Sequence, residues 1–244
     1  VDAGAASTWE NGRVDDPTTR LARQRSFVTR GRRTEAQNRA IDELWPAYGV
    51  DFAGEHLDLD AAFGRTAPRV VEIGFGNGEN LLTLAERHPE RDFLGIEVHG
   101  AGIGRVLAET RMRGLGNIRI IRHDAVEIFE HGLAPASVDE IMIYFPDPWP
   151  KARHRRRRLV QPDVAEILAG TLAPQGVLRL ATDWEPYARH MIDVLDSSPA
   201  LVNAAGDARF VPRPDDRPVT KFERRGERLG HSIFDLEYRP AAHP

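Results

Sequence analysis

A chain of 244 residues with 41% hydrophobic and 29% charged residues carries enough apolar material for one large core, with or without an extension. It has no apolar run long enough to span a membrane and no opening secretory pattern. The absence of cysteine removes disulfides, thiolate catalysis and zinc–cysteine sites. The expectation is a soluble cytoplasmic protein. The formal net charge of −4 hides a segregated distribution, because arginines crowd residues 20–39 and a second run spans Lys151–Arg158. A single such run is equally a solvated face.

Residues 1–22 are small, polar and acidic without periodicity, and read as a disordered tail. Residues 23–66 read as a basic arm and a helical segment, with Thr34 and Gln37 spaced as a capping box. Within that segment the helix is expected to stop by Trp45, and residues 46–66, with Pro46 and three glycines, read as an irregular connection with room for a short helix. The rest of the chain, 67–244, reads as one domain of alternating strands and helices. Strands are predicted at Arg69–Ile73, Asp92–Val98, Ile118–Arg122, Val138–Tyr144, Val177–Ala181 and Ile233–Tyr238. Helices are predicted over 78–88, 103–113, 162–172 and 185–195. The pattern implies a Rossmann-like α/β fold, a doubly wound and mostly parallel sheet with ligands beyond the carboxyl ends of its strands.

The first strand runs into Glu72, Gly74, Gly76 and Gly78, a glycine turn opening a helix. Successive strand ends then deliver Glu97, Asp124, Asp147 and Asp183 to the same edge. A dinucleotide site wants a third fingerprint glycine where this chain has Glu79, and its diphosphate favours a turn free of negative charge. S-adenosylmethionine has no phosphate and carries a positive sulfonium and a positive amino group, so an acid-rich crevice suits it better. Glu97 suits the ribose hydroxyls, since a carboxylate accepts both hydrogen bonds.

On the substrate side, Phe145–Arg158 sets Asp147 between two prolines and continues through Trp149 and Lys151 into Arg153, His154, Arg155, Arg156, Arg157 and Arg158. A catalytic-edge loop that hands over to a basic run reads as a patch for nucleic-acid phosphates. Only two of the 33 basic residues are lysines, Lys151 and Lys221. No histidine pair has metal-ligand spacing, so no metal is expected. Trp149, Trp184 and Phe222 are candidates for base stacking or for core.

Five segments, EIGFGNG, GIEVH, FPDPWPKARHRRRR, ATDWEPYARHM and RPVTKFERRGERLGH, in this order, resemble the bacterial tRNA (guanine-N7)-methyltransferases. The resemblance runs from about residue 23 to the C-terminus. It implies a class I methyltransferase fold, S-adenosylmethionine as donor with S-adenosylhomocysteine as product, and the variable-loop guanine of tRNA as acceptor. Position by position it implies donor contacts at Glu72, Gly74, Gly76, Gly78, Glu97, Asp124 and Asp147. Substrate contacts are implied at Lys151, Asp183, Thr220, Lys221, Phe222 and Glu223, and catalysis at Asp147. Pro150 departs from the histidine usual at that place.

Guanine N7 presents a lone pair and has no proton to lose, so Asp147 reads as an orienting and electrostatic group rather than a general base. Asp183 or Glu223 suits the guanine donors, and Lys151 or Lys221 suits O6; Asp183 also reads as a helix N-cap. Two other readings use the same fold: an NAD(P)-linked oxidoreductase, and a non-catalytic RNA-binding protein. A monomer or a homodimer is equally compatible with the sequence.

Overall fold

The computed structural model describes residues 33–206, 209–220, 223–224, 230 and 232–241. The first helix, α1 (Glu35–Tyr48), begins at the expected capping box. Gln37 N–H donates to Thr34 Oγ1 at 3.2 Å, and Thr34 N–H donates to Gln37 Oε1 at 2.9 Å. It continues past the expected stop because Pro46 lies in the last turn, where a lost N–H forgoes a single bond. Asp58 caps the five-residue α2 (Leu59–Phe63).

Seven strands form one sheet in the order β3-β2-β1-β4-β5-β7-β6. β1 (Arg69–Ile73), β2 (Asp92–Ile96), β3 (Ile118–Ile121), β4 (Val138–Tyr144) and β5 (Leu172–Thr182) run parallel. β7 (Phe234–Pro240) is antiparallel to both β5 and β6 (Leu201–Asn203). Val71 of β1 stands opposite Leu94 of β2 and Ile141 of β4. The intervening helices are α3 (Glu79–Arg87), α4 (Gly100–Met112), the short α5 (Ala125–Glu127), α6 (Pro162–Thr171) and α7 (Glu185–Asp196).

Side chains alternate across the sheet. Val71, Leu94 and Ile141 face a core closed by α6 and α7, while Val70, Phe93 and Met142 face a core closed by α1, α3 and α4. Each fully buried side chain of this kind contributes about 1.5–3 kcal/mol. α1 packs against α4 closely: a Cβ at Gly104 would lie 2.6 Å from the carbonyl oxygen of Gln37.

Three differences from the sequence expectation have physical causes. β6 is three residues long and is held by pairing with β7, which no local pattern announces. β5 starts at Leu172, five residues early, because its ladder with β4 shifts register between Val138 and Glu140. The basic run forms a 3-10 turn, Ala152–Arg157, rather than a loop. The strand order reverses between β1 and β4, so the carboxyl ends of these two strands open the crevice where a doubly wound sheet takes its ligand.

Candidate active site

Two clefts meet over that reversal, one of about 310 Å³ and one of about 170 Å³, and Glu97 and Asp147 line both. The larger is bounded by Glu72, Gly74, Gly76, Asn80, Tyr144 and Thr220. The smaller extends past Val98, His123 and Asp124 to Trp149 and Arg157.

The glycine turn is held as its sequence requires. Gly74, Gly76 and Gly78 have φ of 71°, 54° and 72°, a region costly for side-chain-bearing residues. Gly102, which no motif singled out, has an equally strict role: a Cβ there would lie 2.1 Å from the Gly76 carbonyl oxygen. The start of α4 is thereby pressed against the turn.

Glu97 pins this turn. Its Oε2 accepts from Gly76 N–H at 2.9 Å, and Oε1 accepts from Val98 N–H at 2.7 Å and His99 N–H at 3.0 Å. A carboxylate has about four acceptor positions, so three are committed to backbone and one on Oε2 remains. The sequence reading expected Glu97 to accept from two ribose hydroxyls, and three of its acceptor positions already serve the turn. Asp124 caps α5 by accepting from Val126 N–H at 2.7 Å.

Glu72 is buried, and Asn80 Nδ2 donates to its Oε2 at 3.0 Å. Burial, only partly offset by that bond and reinforced by the charge of Glu97, raises its pKa from 4.5 to about 7. Asn80 was not anticipated; its signal is its place in the first turn of the helix that follows the glycines.

Asp147 is exposed, and among the described residues no hydrogen bond reaches its carboxylate. Its loop is strained. Phe145 and Trp149 have φ of 53° and 42°, which costs roughly 1–2 kcal/mol per residue for L-amino acids. The loop is braced at both ends: Phe145 N–H donates to the Ala181 carbonyl at 2.8 Å, and Arg158 Nε donates to the Pro148 carbonyl at 2.9 Å.

That second brace corrects one expected RNA contact. Arg158 is only 2% exposed and lies over the Tyr187 ring at 4.9 Å, so it is not available to a phosphate. It closes the 3-10 turn and faces inward, whereas Arg153, Arg155 and Arg156 are exposed. Arg157 covers the Trp149 ring at 5.1 Å, and His154 meets the same ring edge-on. Slight desolvation and then the charges of Arg157, Arg153, Lys151 and Arg156 lower the pKa of His154. Arg153 Nε donates to its Nε2 at 3.2 Å, as a neutral ring allows.

Lys151 is exposed at the head of the same turn, and Asp183 is half-buried after β5. Asp183 is not the N-cap of α7. That position is Trp184, which makes no side-chain cap bond and is 40% exposed. Thr220 lines the larger cleft and accepts from Glu223 N–H at 3.3 Å.

Glu223 differs from expectation. Its carboxylate is buried and receives Arg217 Nη1 at 2.7 Å and Nη2 at 2.9 Å. Arg217, itself 1% exposed, also pairs with Asp235 and lies over the Tyr144 and Phe145 rings. Burial works against the Arg217 charge, but Glu223 and Asp235 more than offset it and its pKa is raised. Lys221 and Phe222 lie outside the described residues.

A family model described as a putative methyltransferase matches residues 66–236. A tRNA (guanine-N(7)-)-methyltransferase of Leifsonia xyli subsp. xyli is 75% identical over 220 residues, which span 90% of this chain and 97% of that one. Another, of Alkalilimnicola ehrlichii, is 55% identical over 223 residues, 90% of this chain and 94% of that one. Among solved structures, the 16S rRNA methyltransferase KamB superposes with a TM-score of 0.55 at 16% identity, over 77% of this chain and 95% of that one. The 16S rRNA (adenine(1408)-N(1))-methyltransferase of Catenulisporales acidiphilia gives 0.53 at 19% identity, over 80% and 96%. These two likenesses are likenesses of fold.

Proposed function

The chain belongs to the tRNA (guanine-N7)-methyltransferase family, and on that premise we propose that it methylates N7 of the variable-loop guanine of tRNA. The donor is S-adenosylmethionine, and the product released with the methylated tRNA is S-adenosylhomocysteine. The carrying observation is a crevice whose glycine turn is held by Glu97 and ringed by Glu72, Glu79 and Asp147, beside the exposed Arg153, Arg155 and Arg156.

The crevice fits this donor. Its walls include the apolar Ile73, Ile96 and Val98, which suit an adenosine, and among the described residues the larger cleft is lined by no arginine or lysine. A dinucleotide's diphosphate at the turn would face Glu72, Glu97 and Glu79, of which, among the described residues, only Glu79 is paired with a cation, Arg224 at 3.3 Å; the remaining negative charge disfavours the oxidoreductase reading. When bound, the donor supplies a methyl group on a positively charged sulfur.

The chain's own residues then act by position and charge. Glu97 offers its remaining Oε2 acceptor to a ribose hydroxyl. Glu72, poised near neutrality, pairs with a cationic amino group once that group displaces its proton. Asp147, whose carboxylate accepts no hydrogen bond among the described residues and whose loop is braced at both ends, orients the two reactants and offsets the positive charge that reaches the purine. No base is required, because N7 carries no proton. Asp183 suits the guanine N1 and N2 donors and Lys151 suits O6. Thr220 bounds the larger cleft, and Glu223 supports it from behind. Arg153, Arg155 and Arg156, with His154 as a neutral donor, suit the tRNA phosphates.

A methyl-transfer assay on unmodified tRNA with base-resolved mapping tests the proposal. One N7-methylated guanine in the variable loop is the expected product. Transfer to another base, or none at all with S-adenosylmethionine present, overturns it.

A further inference from the structure

A third cleft, of about 250 Å³, lies between α1 and the end of β3 and is lined by Arg33, Asn38, Asp42, Trp45 and Arg122. Arg122 directly follows β3 and is half-buried. The side-chain stem of Arg33 lies across the start of α4, where a Cβ on Gly100 would come within 2.8 Å of its Cδ.

The other arginines packed against the sheet are satisfied by the protein. Arg65 pairs with Asp92, Arg91 and Arg179 with Glu140, and Arg217 with Glu223. Arg119 donates to three backbone carbonyls. Among the described residues, neither Arg33 nor Arg122 makes an ion pair or a hydrogen bond. Asp42 borders the cleft without reaching either guanidinium. Burial and then the nearby charge of Arg33 lower the pKa of Arg122. Arg33 is exposed and Arg122 half-buried, and two like charges brought side by side, with five donors each, are stabilised by a shared anion.

We propose that Arg33 and Arg122, with Asn38, form an RNA phosphate-binding site on the bank of the crevice opposite the Arg153–Arg156 run. The proposal rests on the tRNA reading above and adds a second anchoring point to it. Sheet order supplies the geometry: Arg122 stands at the end of β3, the basic turn follows β4, and the crevice opens between them over β2 and β1. His123 and Asp124, next in sequence to Arg122, line the smaller cleft. A tRNA backbone held on both banks is fixed across the crevice, whereas one bank alone leaves it free to pivot. Guanidinium groups suit this role because they present paired donors to phosphate oxygens.

The test is tRNA affinity against salt for wild type, Arg33→Gln, Arg122→Gln and the double variant, with Arg122→Lys as the charge-retaining control. Each lost phosphate contact is expected to reduce the slope of log K against log salt by about one and to weaken binding several-fold at low salt. S-adenosylhomocysteine affinity and melting temperature are expected to stay at wild-type values, and Arg122→Lys to retain most of the slope. Should the double variant keep the wild-type slope while wild type methylates tRNA, the second bank is wrong and the functional reading stands. Should wild type fail to methylate tRNA, both fall. Inorganic phosphate titrated as a probe separates the sources: tight phosphate binding lost in Arg122→Gln, with an unchanged tRNA slope, would reassign the site to a small anion and overturn the proposal.

Discussion

Arg158 Nε and the Pro148 carbonyl oxygen are 2.9 Å apart, and through this bond the last residue of the basic run supports the loop that presents Asp147. Arg155 and Arg156, three and two positions earlier, face solvent. The run is therefore divided between a brace and an RNA-facing surface.

This division predicts different phenotypes within one run. Arg155→Gln with Arg156→Gln is expected to raise KM for tRNA and to lower the salt slope by about two, with melting temperature and donor affinity unchanged. Arg158→Ala leaves the Pro148 carbonyl without its partner, and is expected to cost about 1–3 kcal/mol of stability and to lower kcat. Thermal unfolding beside steady-state kinetics separates the two. Equal stability loss in both variants would remove the division.

The Arg217–Glu223 pair supports a second test. Removing one partner of a buried pair costs about 3–5 kcal/mol, so Arg217→Met and Glu223→Gln are each expected to destabilise strongly. Their double variant should be less impaired than the sum of the two. If Glu223 instead contacts guanine directly, Glu223→Gln will raise KM for tRNA while leaving the melting temperature in place. A double-mutant cycle read by thermal unfolding and by KM decides between these outcomes.

These cases show which parts of the molecule are legible in its sequence. The glycine turn, the acids at strand ends and the capping box of Thr34 follow from local pattern, because spacing along one strand or turn sets their geometry. Arg158, Glu223 and Arg217 are charged residues that packing has made internal, and composition reads every charged residue as solvent-facing. Asp183 followed by a helical pattern looks like a cap, but the chain enters α7 one residue later, at Trp184. Gly102 and Gly104 matter because of what lies across from them, the Gly76 and Gln37 carbonyls. A helix pattern alone does not name such partners.

Glu72 gives a pH prediction with a definite sign. Its pKa is raised from 4.5 to about 7 by burial, so the folded protein holds a proton that the unfolded chain releases between those values. Its contribution to stability is fully present below pH 4.5, is lost as pH rises toward 7, and is on the order of 3 kcal/mol. Glu72→Gln should flatten that part of the stability profile. A cationic amino group beside Glu72 favours the carboxylate, so S-adenosylhomocysteine binding should release a proton and tighten from pH 6 to pH 8. Calorimetry in buffers of different ionisation enthalpy reads that proton directly. No proton release in wild type would place the amino group elsewhere.

Gly102→Ala tests the turn without touching a charge. Its Cβ would sit 2.1 Å from the Gly76 carbonyl oxygen, a backbone atom that can yield only by moving the turn that Glu97 holds. Donor affinity is expected to fall at least tenfold. Gly170→Ala, where a Cβ meets nothing within 4 Å, is the control. Calorimetric titration with S-adenosylhomocysteine measures both, and wild-type affinity in Gly102→Ala would show that the turn relaxes freely.

Asp147 decides how the reaction is driven. Its carboxylate accepts no hydrogen bond among the described residues, yet the loop is strained at Phe145 and Trp149 and braced by Arg158 and the Ala181 carbonyl. Strain of that kind is retained where geometry is needed. Since guanine N7 has no proton, the carboxylate has to align donor and acceptor and offset the charge arriving on the purine. Asp147→Asn keeps the shape and removes the charge. It is expected to lower kcat by about a hundredfold or more, while affinities for S-adenosylhomocysteine and tRNA remain within a few-fold of wild type. Arg158→Ala, which loosens the loop and keeps the charge, should lower kcat less. The single-turnover rate should show a solvent isotope effect near unity, because no proton moves in the transition state. A large isotope effect in wild type, abolished in Asp147→Asn, would make Asp147 a general base and overturn this mechanism.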